Sequence, residues 1–113
     1  MLTLLFACVT ADSFPQKATN VLCERYYECD RGAFESAYSD LADCKDDDAL
    51  IAYYECFNES CTFVAKAASE CLSEFRSQSC EDLVEGRTPN ACEDIYEDCD
   101  ESELLTCAAD AAF

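Results

Sequence analysis

Residues 60–76 read SCTFVAKAASECLSEFR. Cys61, Val64, Ala65, Ala68, Cys71, Leu72 and Phe75 recur at spacings of three and four, and Lys66, Glu70 and Glu74 fall off that stripe. This is the period of an amphipathic helix with one face turned to a core. Two cysteines, Cys61 and Cys71, lie on that stripe. Helical spacing with inward cysteines continues in both directions from here.

Upstream, residues 9–14 read as a short tether, followed by a helix. Ser13 suits its N-cap, Pro15 its first turn, and Gln16 can reach back as in a capping box. Ala18, Leu22, Tyr26 and Cys29 share a face, and Gly32 is a plausible stop. A second helix is expected over 33–44, with Phe34, Ala37, Tyr38 and Leu41 inward. A helical hairpin turning near Gly32 would bring Cys44 back beside Cys23. Lys45-Asp46-Asp47-Asp48 is a polar link whose aspartates suit the positive N-terminus of a helix over 47–57. Downstream, Ser79 caps a short helix ending near Gly86, residues 87–90 form a loop, and two helices are expected over 90–99 and 102–112. No alternation of useful length predicts a strand. Tyr26-Tyr27-Glu28-Cys29 recurs as Tyr53-Tyr54-Glu55-Cys56, with a further cysteine fifteen positions on in both cases.

The chain has 113 residues with eleven cysteines but only two glycines and two prolines. So much cysteine in a short chain points to a disulfide scaffold in an oxidising compartment, and so few turn residues point to helices. The expected fold is all-α, five or six short helices stapled by about five disulfides. The 25 acids and 7 bases give a net charge of −18. That charge repels nucleic acid and anionic headgroups, since both are bound through Lys and Arg. It suits a solvated surface and weak association with divalent cations, above all across 81–103, where ten acids meet only Arg87.

Residues 2–9 are uncharged and apolar except Thr3. The run is too short to span a bilayer and matches the core of an export signal. Two ways of processing it are open. Val9-Thr10-Ala11 suits signal peptidase cleavage after Ala11. Leu5-Phe6-Ala7-Cys8 looks like a bacterial lipobox, in which Cys8 becomes the acylated first residue, although a lipobox usually carries a smaller or β-branched residue in place of Phe6. No base precedes the apolar run, which a start upstream of Met1 or a fragmentary chain would explain. Residues 1–11 are therefore read as a signal- or lipobox-like segment and 12–113 as a single disulfide-rich helical domain. Either cut leaves ten cysteines for five bridges: Cys23, Cys29, Cys44, Cys56, Cys61, Cys71, Cys80, Cys92, Cys99 and Cys107. Their pairings number on the order of a thousand, and spacing alone does not choose.

The chain has no histidine. That removes the usual general base, the Ser/His and Cys/His pairs, and the commonest metal ligand. No Cys-x-x-Cys occurs, and no catalytic residue, cofactor or metal site is expected. The segment from Asp98 opens like an EF-hand loop, then fails, with Glu103 at the glycine position and Ala109 at the glutamate position. Carboxylates are plentiful, so an acid pair in one apolar cleft would revive an enzyme. The six tyrosines read as packing residues, and an exposed aromatic binding patch is the sharper alternative.

The chain resembles small cysteine-rich lipoproteins of myxobacteria and related bacteria. The likeness rests on the lipobox-like start, Cys23 to Cys29, Cys44, Glu70-Cys71-Leu72, Ser79 to Leu83 and Ala91 to Cys99. It implies a lipid-anchored extracytoplasmic protein, with no enzymatic activity attached. The expectation is a non-enzymatic acidic module on the membrane of a bacterial envelope, held by a lipid on Cys8 and presented to an envelope protein partner. The alternative is a soluble secreted helical signalling or toxin-like factor cleaved after Ala11.

Overall fold

The computed structural model describes residues 9–103 and Cys107. Among these lie six α-helices: α1 (Phe14–Cys29), α2 (Arg31–Ala37), α3 (Leu41–Lys45), α4 (Asp48–Ser60), α5 (Ala65–Ser77) and α6 (Cys80–Val84). A short 3₁₀ turn spans Asn90–Asp94, and two two-residue strands, β1 (Thr62–Phe63) and β2 (Tyr96–Glu97), pair antiparallel with Phe63 opposite Tyr96. The fold is helical, as the periodicity predicts. The expected helix over 102–112 falls mostly outside the described residues, with 101–103 and Cys107 helical.

α1 is the hub and touches each of the other five helices. It buries two sides. Phe14, Ala18 and Val21 join Val9, Ala68, Cys71, Leu72 and Ile95 in the larger core, while Cys23 packs with Phe34 and Cys44 in a smaller one. The expected seam through Leu22 and Tyr26 lies between these clusters, and Tyr26 is 39% exposed. On α5 the buried residues are Ala67, Ala68, Cys71 and Leu72, and Ala65 is exposed.

Local capping decides the helix boundaries. Asp30 accepts a hydrogen bond from the Ala33 amide and Asp40 from the Asp43 amide, so helices begin after both. The helix expected over 33–44 is therefore two, and Gly32 lies inside α2 instead of ending α1. The capping box at Ser13 does not form. The Ser13 hydroxyl accepts from the Thr10 amide at 2.9 Å, and Gln16 donates to Asn20 and to the Lys45 carbonyl, both at 2.8 Å. Ser79 caps α6 as expected, accepting from the Asp82 amide at 3.1 Å. Gly86, at φ 79°, ends it. Its amide donates to the Leu83 carbonyl and that of Arg87 to the Asp82 carbonyl, the paired bonds of a left-handed glycine stop.

The expected tether over 9–14 is part of the packed body. Val9 is 8% and Phe14 1% exposed. A turn joins them, the Phe14 amide donating to the Thr10 carbonyl at 2.9 Å, and Asn58 of α4 donates to the Ala11 carbonyl at 2.6 Å.

Five disulfides join Cys23 to Cys44, Cys29 to Cys80, Cys56 to Cys107, Cys61 to Cys99 and Cys71 to Cys92. The first closes the helical hairpin anticipated from the turn near Gly32. The cysteines of the two Tyr-Tyr-Glu-Cys segments each bond a partner 51 residues on.

Asp47 caps α4 through the amides of Ala49 and Leu50, and it also accepts the Tyr38 hydroxyl at 2.5 Å. The bond to this carboxylate, then burial, raises the Tyr38 phenol to about 12. Its folded value lies above its unfolded one, so the contribution is complete below pH ~10 and disappears as pH rises to about 12. Chemical denaturation at pH 9 and pH 11.5 should show a larger loss for the native chain than for Tyr38→Phe. Equal losses would detach this contact from alkaline unfolding.

Candidate functional site

The larger cleft, about 440 Å³, opens between α1, α4, α5 and the segment running from the 3₁₀ turn into β2. α4 presents Tyr53, Tyr54 and Phe57 on neighbouring turns, since residues at i and i+4 share a helix face. α1 adds Phe14 from its first turn, and β2 adds Tyr96. The five rings form a closed circuit of contacts. Tyr53 meets Tyr54 at 5.5 Å and Phe57 at 4.9 Å, both edge-on. Phe57 stacks on Tyr96 at 5.4 Å, Tyr96 meets Phe14 at 6.3 Å, and Phe14 meets Tyr54 at 5.4 Å. Such offset and edge-on pairs are the favoured arrangements of aromatic quadrupoles.

Hydrogen bonds fix the circuit from behind. The Tyr96 hydroxyl donates to Asn58 Oδ1 at 3.1 Å, while Asn58 Nδ2 holds the Ala11 carbonyl. Burial raises the phenols of both Tyr54 and Tyr96 above their usual value, so both stay neutral through the physiological range. Tyr53 is 39% exposed and offers its ring at the mouth.

Glu93 is the one charged residue among the described residues lining this cleft. The pair of acids that glycoside hydrolysis requires is not assembled there. A second cleft of about 370 Å³ lies across Leu22, walled by Tyr26, Phe34, Tyr38 and Leu50, and its tyrosines are the one kind of ionisable group among its described lining residues, Cys23 and Cys44 being bonded to each other. The acids of 81–103 do not converge. Among the described residues no three His, Cys, Asp or Glu side chains form a group able to hold a metal ion. Asp100, in the EF-hand-like stretch, caps the helical turn after it. It accepts from the Ser102 hydroxyl at 2.6 Å and from the amides of Ser102 and Glu103, which hold its carboxyl below the usual range.

All ten cysteines from Cys23 to Cys107 are in disulfides, so no cysteine remains to pair with Cys8, which itself lies outside the described residues. The aromatic circuit was not anticipated as a unit. The spacing of Tyr53, Tyr54 and Phe57 signals a helix face, but nothing local joins Phe14 and Tyr96 to it.

These features define a disulfide-stapled helical protein of an oxidising, extracytoplasmic compartment. Among the described residues no helix is long and apolar enough to cross a membrane. No protein family, curated protein or solved structure matches the chain.

Proposed function

We propose that the chain is a non-enzymatic lipoprotein module, held at a bacterial envelope membrane by a lipid on Cys8 and presented to another envelope component. The observation that carries this reading is the packing of residues 9–11. Cleavage after Ala11 would remove Val9 from the core, the turn through Thr10, and the carbonyl that Asn58 holds. Cleavage before Cys8 keeps all three. The resemblance to small cysteine-rich bacterial lipoproteins points the same way, and the cysteine count, which leaves Cys8 over, is compatible with it. One acyl chain anchors only marginally, and two or three anchor stably at about 0.8 kcal/mol per buried CH₂. With Val9 packed, almost no spacer follows the lipid, and the anchor would hold the acidic body near the surface against the repulsion of anionic headgroups.

The test is the intact mass of the protein expressed from its native reading frame in a Gram-negative host. The expected product carries two or three acyl chains on Cys8 and ten alkylatable sulfurs after reduction. In parallel, a chain starting at Asp12 should be less stable than one starting at Cys8, by roughly 2–4 kcal/mol for the lost Val9 burial and hydrogen bond. A lipid-free product beginning at Asp12, equal in stability to the longer chain, would overturn the proposal and favour a diffusible secreted factor.

A further inference from the structure

We propose that the aromatic cleft between α1, α4 and β2 is a binding site for an organic cation with an apolar body, a quaternary ammonium or an alkylated amine. Its volume of about 440 Å³ falls within the usual size of small-molecule sites. Five of the rings lining it touch in a closed circuit, four of them exposed or half-buried, and ring faces attract cations through their quadrupoles, quaternary ammonium above all. The second observation is charge. Glu93 is the one charged side chain among the described lining residues, which include no Lys or Arg. The base nearest along the chain to the lining residue Thr88 is Arg87, and it is already paired, with Glu85 at 3.0 Å and Asp82 at 3.7 Å. The net charge of −18 raises the local concentration of any cation and lowers that of any anion. A neutral apolar ligand would fit the walls but gain nothing from Glu93 or the field. An anionic one would be opposed by both. The site needs no lipid on Cys8, only that residues 9–13 are kept.

The test uses the disulfide-intact protein in 0.15 M salt, titrated with benzyltrimethylammonium and with its neutral carbon isostere neopentylbenzene, and followed through the tyrosine ring resonances. The ammonium ion should bind about tenfold more tightly than the isostere. Tyr53→Ala removes the most exposed ring of the circuit without changing the charge and should weaken ammonium binding about fivefold, with circular dichroism confirming that the variant stays folded despite its lost contacts to Tyr54 and Phe57. Glu93→Gln should weaken it about threefold. Equal affinity for ion and isostere would overturn the proposal, as would no binding. Ammonium binding unmoved by Tyr53→Ala but abolished by added salt would also overturn it, because that is diffuse attraction to an acidic protein.

Discussion

Reduction at neutral pH should unfold this protein, and its helical circular dichroism should collapse. Among the described residues the apolar core is divided between a cluster of ten buried residues and one of three, two of the latter being the bonded Cys23 and Cys44. A net charge of −18 opposes compaction. Against this stand five bridges spanning 21, 51, 51, 38 and 21 residues. Loops of these lengths restrict the unfolded chain by about 3–4 kcal/mol each when counted singly. Typical stabilities are about 5–15 kcal/mol, so losing a few bridges suffices.

The bridges are not equivalent. Cys71–Cys92 lies within the loop of Cys61–Cys99, which lies within that of Cys56–Cys107. With the outer bridge closed, the middle one constrains a much shorter effective loop. Cys29–Cys80 alone fastens α1 to the second half of the chain. Replacing Cys29 and Cys80 together by alanine should therefore lower the denaturation midpoint more than replacing Cys61 and Cys99. A helical spectrum unchanged by reductant, or the reverse ranking of the two variants, would refute this account.

What was legible in the sequence was local. Asp47 and Ser79 announce their helices because a capping side chain bonds amides two or three residues on. Gly86 announces a stop because it takes a left-handed conformation. Cys23–Cys44 follows from a hairpin that the helix periodicity already implies. The misplaced elements depend on partners far along the chain. Residues 60–64 continue the apolar stripe of α5, yet Thr62 and Phe63 are extended because Glu97 and Tyr96 pair with them and Ile95 accepts the Val64 amide at 2.7 Å. The same pairing converts the expected helix over 90–99 into a 3₁₀ turn and a strand. At the site, three rings of the circuit share one helix. The other two arrive from about forty residues on either side, which no spacing rule reports. At 33–44, Asp40 caps a second helix and outweighs a continuous apolar period.

Phe14→Ala should cost about 3–5 kcal/mol, the most of any single substitution in the larger core. Phe14 is 1% exposed and touches three aromatic rings, Tyr54 at 5.4 Å, Phe63 at 5.6 Å and Tyr96 at 6.3 Å. These rings belong to α4, β1 and β2, so a cavity here loosens three elements that meet α1 at its N-terminal end. Disulfides hold the unfolded chain compact but supply no atoms to refill the space, so relaxation around an alanine is limited. The melting temperature should fall by more than 10 °C, at roughly 4 °C per kcal/mol for a chain of this size. Phe75→Ala, at a half-buried position against the same cluster, should cost less. The comparison separates two sources of order. If Phe14→Ala moves the melting temperature by less than about 4 °C, equivalent to ~1 kcal/mol, the rings are passengers of the sulfur framework. A large drop with all five bridges intact means that the bridges limit the unfolded state while ring packing around Phe14 selects the folded one.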